Sequence, residues 1–245
     1  MPIDWLINAH ETLPSTQDTL KEALLKTTGL SEGYVVSTTQ QTNGYGRHGR
    51  SWQGEAGNVY LSFLLRPEQT STNAAQLSLV VGLSLIQTIN THVRADTNLI
   101  LKWPNDVLIE NKKCAGILIE SHQNKTEEHP VLIVGIGINI TNAPLEVSTH
   151  LNAHTDVPLN AHTFMHKFLD IFSQDYKQWS HEGFSSFRDR FIKQTYAKGT
   201  PIGVKVGTHK ITGLFQDIDL NGNLEILCDE TKKIRKITSG DVFLM

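Results

Sequence analysis

The sequence predicts an α+β fold: a mixed or antiparallel sheet flanked by helices, followed by a small C-terminal β-barrel. Three observations carry that reading. Apolar, β-rich segments recur before residue 141: "GYVVST", "NVYLSFLLR", "LILKW", "KCAGILIES" and "VLIVGIGINI". Residues 73–93 and "FMHKFLDIFSQDYKQW" instead repeat apolar residues at helical spacing. From Gly199 onward the chain alternates apolar and polar residues in short runs, the pattern of a small barrel. The expected division is a main domain over residues 1–195 and a small β domain over 196–245.

The first helix is expected at "STQDTLKEALLK". Ser15 or Thr16 can cap it, Asp18 lies in its first turn, and Leu20, Ala23 and Leu24 form its apolar stripe. "GYVVST" and "NVYLSFLLR" are strands on either side of a glycine-rich loop. In the long helix Leu77, Val80, Val81, Ser84, Leu85 and Ile89 share a face, with Gly82 where a neighbour can approach. Pro104-Asn105-Asp106 and Asn111 are turn formers between "LILKW" and "KCAGILIES", so a hairpin-rich sheet follows. The polar stretches 121–130 and 141–160 are expected as surface loops. The next amphipathic helix turns Phe164, Phe168, Ile171, Phe172 and Trp179 inward, and "FSSFRDRFIKQ" continues the helical pattern. Asn221-Gly222 marks a hairpin turn in the C-terminal barrel.

With 245 residues, 39% hydrophobic and 19% charged, the chain has the composition of a soluble globular protein that buries a substantial core. Its net charge of −3 gives no global field favouring nucleic acid or an anionic membrane. Phosphate binding would need a local basic cluster. Cys114 and Cys228 make no disulfide framework and fit a reducing compartment. The N-terminus lacks the pattern of a secretion signal, and no apolar run approaches the ~18 residues that span a membrane. The cytoplasm is the expected location.

In "QTNGYGRHGRSW", Gln41 to Trp52, Gly44, Gly46 and Gly49 have the spacing of a dinucleotide-binding turn. That turn requires a strand before the glycines and a helix after them. The strand is present, and Glu68 stands about where a ribose-binding carboxylate would be sought. The helix is missing, because Gly54 and Gly57 occupy its place and strand character resumes at once. The dinucleotide reading fails. A glycine-rich loop with Arg47 and Arg50 suits an anion in another way, through converging N–H groups and guanidinium forks. Three further stretches stand out: "LKWPNDV" with Lys102, Trp103, Asn105 and Asp106; "NKKCAGILIES" with Lys112 and Lys113; and "VGIGINI", whose Asn139 needs partners in an apolar strand.

Together with "STQ" at Ser15–Gln17, these motifs resemble in order and spacing the biotin protein ligases, over residues 8–195 and more weakly through the C-terminal barrel. "GRHGRSW" and "KWPND", with Lys113 seven residues after Asp106 and then "AGILIE", are the most specific. The resemblance implies a class II synthetase-like catalytic domain with an SH3-like barrel. It implies activation of biotin by ATP with Mg²⁺, giving biotinyl-5′-AMP, then transfer to a lysine of the biotin carboxyl carrier domain of acetyl-CoA carboxylase. No enzyme nucleophile is required; the chemistry needs fixed positive charge and N–H donors around two anions.

Carried over residue by residue, Ser15, Thr16 and Gln41 would hydrogen-bond the ureido ring, with Gln17 beside them where relatives more often have Asn. A helix-capping role for Ser15 or Thr16 is compatible with this. Gly44, Tyr45, Gly46 and Arg47 would wrap the biotin tail and phosphate, Arg47 as the leading phosphate contact. Arg50 would meet the ATP phosphates. Trp52 would wall the pocket, although a tryptophan at a loop–strand junction is also an ordinary core residue. Lys113 would bridge biotin's carboxylate and the reacting phosphate as the main catalytic group, with Arg47 and Asp106 completing the set. Lys102, Trp103, Asn105 and Asp106 would handle nucleotide and metal, Asp106 as the Mg²⁺ ligand; the same residues also make a good turn. Gly116 and Leu118 would line the biotin pocket. Asn139 is either near the nucleotide or a satisfied core amide.

Tyr45 departs from the arginine of many relatives, which puts in doubt how tightly biotinyl-AMP is held. The chain begins almost directly at the catalytic motifs, so a monofunctional ligase without a DNA-binding winged helix is expected, with no repressor function. Relatives include monomers and edge-to-edge dimers, which leaves a homodimer open. Two rivals remain. Lipoate ligases and octanoyl transferases share the fold, the latter using a cysteine, whereas Cys114 is expected in the core. A protein that only holds biotin would not need Arg47, Lys113 and Asp106. The glycines suggest that loop 42–52 orders over the intermediate.

Overall fold

The structure is a computed structural model, and it describes residues 3–27, 29–67, 74–123 and 130–245. The chain starts with β1 (Leu6–Leu13), α1 (Thr16–Lys26), β2 (Tyr34–Gln41) and β3 (Val59–Leu65). It continues through α2 (Ala74–Asn90), β4 (Leu99–Lys102), β5 (Asp106–Ile109), β6 (Lys112–His122) and β7 (Val131–Ile138). Helices α3 (Ala161–Glu182) and α4 (Ser185–Lys193) follow. The last strands are β8 (Pro201–Val206), β9 (His209–Ile218), β10 (Leu224–Cys228), β11 (Ile234–Ile237) and β12 (Asp241–Leu244).

Strands β1 to β7 form one mixed sheet in the order β1-β2-β3-β7-β6-β5-β4, with β1 parallel to β2 and every other pair antiparallel. The apolar run of β7 takes the centre, where both faces are covered. Alternate side chains divide the sheet. Leu61, Phe63, Val134 and Ile136 join the large core beneath α2 and α3, whereas Val36, Leu64 and Ile133 pack with Leu20 of α1 on the other face. Short α1 covers only part of that second face, and the rest is open to build a cleft.

Local chemistry explains the helices. Ser15 caps α1, its hydroxyl accepting from Asp18 N at 3.3 Å, so Thr16 is the first helical residue. Helix α2 is apolar on nearly every face because it lies between the sheet and α3. A β-carbon at Gly82 would sit 2.5 Å from Leu101 Cδ1, the close approach the sequence suggests. In α3, Asn160 caps the start, Gly183 ends it at φ 70°, and Phe164, Phe168, Phe172 and Trp179 are buried. Ile171 is only half-buried.

Several boundaries differ from expectation. The turn after "LILKW" covers only residues 103–105, and β5 follows at once. The β5–β6 hairpin then turns on Glu110 and Asn111, both at positive φ (49° and 62°). Segment 141–160 is not all surface: Thr149 and Leu151 are buried, and Asn139 and Lys113 hold it through backbone bonds to Leu151 and Thr149. Strand β6 extends through His122. Asn73, Glu68 and residues 124–129 of the expected loop lie outside the described residues.

Strands β8 to β12 make a second, antiparallel sheet in the order β11-β10-β9-β8-β12. Its edges, β11 and β12, are not paired with one another, so no sheet closes among the described residues. The loop at Asn221-Gly222 spans 219–223 rather than two residues. Asp219 organises it, accepting from the backbone N–H of Asn221 and Asn223 at 2.9 Å each. Ile202, Val204 and Phe215 share the large core with α2 and α3. Among the described residues, no helix is long and apolar enough to cross a membrane.

Candidate functional site

A cleft of about 200 Å³ lies on the α1 face of the first sheet, beneath the 42–52 loop. Its floor is made of small residues in adjacent strands. Ser62 of β3 pairs across Gly135 of β7, which pairs across Leu118 of β6. In the next row Gly137 faces Gly116, which faces Asp106 of β5. Removing side chains at these positions makes the space. A β-carbon at Gly135 would sit 2.5 Å from Gln17 Oε1, and one at Gly137 would sit 2.6 Å from Trp52 Cε2. One at Gly116 would sit 2.9 Å from Trp52 Cζ3. Trp52 therefore walls the cleft because glycines lie beneath it.

One end of the cleft is uncharged and hydrogen-bonding. Gln41 Oε1 accepts from Thr16 N at 2.8 Å and from Thr16 Oγ1 at 3.1 Å. Thr16 Oγ1 lies 2.9 Å from Ser62 Oγ, which donates to Gln17 Oε1 at 2.9 Å. Gln17 Nε2 in turn donates to Glu120 Oε2 at 2.7 Å. Thr16, Gln17 and Ser62 are buried, so each needs a partner, and this chain supplies one. Gly44 lies outside the cleft, but a β-carbon there would sit 2.5 Å from Gln41 Nε2. It makes room for the glutamine.

The other end is cationic. Lys113 Nζ lies 2.6 Å from Asp106 Oδ1, an ion pair whose angle is poor for a hydrogen bond, and 5.0 Å from the centre of the Trp52 ring. Lys102 Nζ lies 3.0 Å from Asp106 Oδ2. Burial pushes the Asp106 carboxyl up, but the two ammonium groups outweigh it and hold the acid below its ordinary range. Arg47 Nη1 donates to Asn105 Oδ1 at 3.3 Å, to the Gly240 carbonyl at 3.1 Å and to Asp241 Oδ1 at 3.3 Å. Arg50 pairs with the other oxygen of Asp241. Four cationic side chains thus face two carboxylates, an excess of positive charge suited to anionic ligands.

Each oxygen of Asp106 meets a lysine ammonium, so here the carboxylate is the counter-charge of the two lysines. No group of three His, Cys, Asp or Glu is gathered among the described residues, so a divalent cation at Asp106 would be shared with the phosphates of a nucleotide.

Of the residues singled out from sequence, Ser15, Thr16, Gln17, Gln41, Tyr45 and Gly46 line the cleft. So do Arg47, Arg50, Trp52, Asn105, Asp106, Lys113, Gly116 and Leu118. Lys102 stands one residue away, behind Asp106. Trp103 and Asn139 lie outside it. The indole of Trp103 donates to the Gly222 carbonyl at 2.9 Å, tying the first sheet to the second. Asn139 is 3% exposed and donates to the Thr149 carbonyl at 3.1 Å, so it is a satisfied core amide. Cys114 is fully buried and its burial pushes the thiol up, which is unlike a nucleophile. Ser62, Gly135, Gly137, Leu145 and Asp241 line the cleft without having been singled out. Gly135 and Gly137 left a signal, two glycines one strand period apart in an apolar run. Asp241 left none.

Comparison with known proteins agrees with this geometry. Residues 9–139 match the biotin/lipoate A/B protein ligase family, and residues 199–245 match the biotin protein ligase C-terminal domain. The chain is similar to the biotin–[acetyl-CoA-carboxylase] ligase of Paracoccus denitrificans, 34% identical over 220 residues that cover 86% of this chain and 91% of that one. It is 30% identical to the bifunctional ligase/repressor BirA of Bacillus subtilis (strain 168), covering 96% of this chain and 73% of the relative. Its fold is similar to that of the biotin protein ligase from Aquifex aeolicus in complex with biotin and ATP, with a TM-score of 0.82, 32% identity and 98% of each chain covered.

Proposed function

The chain belongs to the biotin/lipoate A/B protein ligase family, and from that premise we propose that the cleft beneath the 42–52 loop carries out both halves of the ligase reaction. The protein is an ATP-dependent biotin protein ligase. In the first half an oxygen of biotin's carboxylate attacks the α-phosphorus of ATP, the bond to the β-phosphate oxygen breaks, and pyrophosphate leaves. In the second half the neutral amine of a carrier-domain lysine attacks the acyl carbon, the bond to AMP breaks, and the new amide nitrogen loses a proton.

The observation that carries the assignment is the division of the cleft into an uncharged hydrogen-bonding end and a cationic end. Thr16 and Gln41 suit a ureido ring, whose own donors and acceptors must be paired once buried. Trp52, Gly116 and Leu118 suit an apolar tail. Lys113 then stands where the tail's carboxylate would meet the α-phosphate, holding both anions with one fixed charge. Arg47 and Arg50 suit the phosphates, and Asn105 orients Arg47. Asp106 keeps Lys113 aimed, and a Mg²⁺ arriving with ATP would neutralise part of the phosphate charge, with Asp106 as the carboxylate nearest to hold it. The same proposal takes residues 1–195 as the catalytic domain and the five short strands after them as an SH3-like unit. The partner it implies is the carrier domain of acetyl-CoA carboxylase, and the net charge of −3 supports no DNA contact.

Exchange of labelled pyrophosphate into ATP tests this reading. Exchange that depends on biotin and not on lipoate is expected; exchange driven by lipoate alone would overturn it.

A further inference from the structure

Tyr45 stands in the 42–52 loop, and its surroundings suit a phenol. Its hydroxyl accepts from Lys21 Nζ at 2.7 Å and donates to Asp18 Oδ1 at 2.8 Å, both on α1. Lys21 Nζ also lies 5.3 Å from the tyrosine ring centre and 2.8 Å from Glu120 Oε2 on β6. Glu120 is the same carboxylate that accepts from Gln17 Nε2, so the tyrosine is wired into the chain that runs through Ser62 and Thr16 to Gln41.

A phenol is the group that fits here. It accepts from an ammonium and donates to a carboxylate through one oxygen, which an arginine cannot do. An arginine would also set a second cation beside Lys21. Burial pushes the phenol up to about 12, so it keeps its proton and remains a donor at neutral pH. Beyond Tyr45 the loop is closed on itself: Gly46 N donates to the Arg50 carbonyl at 2.8 Å and Trp52 N to the Gly44 carbonyl at 2.9 Å. Holding Tyr45 therefore holds the whole turn that carries Arg47 and Trp52.

We propose that Tyr45 is a positioning residue: pinned between Lys21 and Asp18, it latches the 42–52 loop to α1 and slows the escape of biotin and biotinyl-AMP. The retention part of the proposal rests on the ligase reading; the latch itself does not.

The test uses Tyr45→Phe, which removes only the hydroxyl, with Lys21→Met and the double variant beside it. In the ligand-free protein, amide hydrogen exchange over residues 43–51 is expected to speed up about tenfold in Y45F, as loss of a hydrogen bond to charged partners requires. Biotin release, followed by chasing labelled biotin from its complex with the protein, should speed up by a similar factor. K21M should reproduce the effect, and the double variant should add no further factor. Unchanged loop exchange in Y45F, or a double variant whose effects multiply, would overturn the latch. Faster loop exchange with unchanged biotin release would overturn the retention role. Wild-type protein that binds no biotin would overturn the ligase reading instead, and the exchange arm would still decide the latch.

Discussion

Lys113 Nζ stands 2.6 Å from Asp106 Oδ1, and the other oxygen of that carboxylate is 3.0 Å from Lys102 Nζ. Asp106 is thus the hinge of a three-charge cluster at the cationic end of the cleft. Its acid is held below its ordinary value, so it contributes stability that is fully present above the unfolded carboxylate value. That contribution is lost as pH falls through the folded one. The stability gap between wild type and Asp106→Asn, from urea unfolding, should be constant from about pH 7 to about pH 5 and shrink progressively below about pH 4. A gap that instead changes between pH 6 and 8 would contradict this account.

Gly137 lies under the Trp52 indole. Gly137→Ala forces a β-carbon to 2.6 Å from Trp52 Cε2, and the tryptophan, carried on a loop, is what gives way. Overpacking of this kind costs about 1–3 kcal/mol, here at the expense of the ligand pocket. We expect the KM for biotin to rise at least about tenfold, with a smaller change in kcat. Steady-state biotinylation at saturating ATP measures both.

Thr16 Oγ1 joins Gln41 to Ser62, and Thr16→Val removes that link while keeping the shape. The backbone N–H of residue 16 still holds Gln41, so the fold persists. Loss of one hydrogen bond, about 1 kcal/mol, should weaken biotin binding roughly fivefold without changing the KM for ATP. Calorimetric titration with biotin distinguishes this from a general loss of structure.

Cys114 neighbours Lys113 in sequence but points into the core. Cys114→Ala should transfer biotin within about twofold of wild type and cost about 1 kcal/mol of stability. Iodoacetamide should leave Cys114 unmodified until the protein unfolds. Loss of transfer with an intact fold would revive the acyl-cysteine chemistry of an octanoyl transferase.

Much of this fold was legible because its elements are locally consistent. Ser15 caps α1, α3 keeps its aromatic stripe, and β7 reads as a buried apolar run. Strand β1 was not legible: "LINAHETL" is half polar without strict alternation, lies at the sheet edge and pairs with one neighbour only. The β5 strand hid inside a stretch rich in turn formers, which occupy only its ends. At the cleft, loop and lysine motifs identified the charged residues, since those carry the chemistry in their side chains. Gly135 and Gly137 act by what they lack; their spacing of one strand period is visible in the apolar run, but no side chain there points to a ligand. Asp241 meets Arg47 across 194 positions of sequence, a proximity that only the packing of the second sheet creates. Trp103 and Asn139 sit within the motifs yet turn away, toward Gly222 and Thr149, because each has a buried polar group to satisfy.

The central claim is that Lys113 holds biotin's carboxylate and the α-phosphate together. ATP-dependent transfer of biotin to a purified carrier domain, by wild type and by Lys113→Ala, tests it most directly. Removing one fixed charge from the reacting anions should slow transfer by on the order of 10²–10³, with biotin still bound through Thr16 and Gln41. Transfer by Lys113→Ala at the wild-type rate would contradict the account.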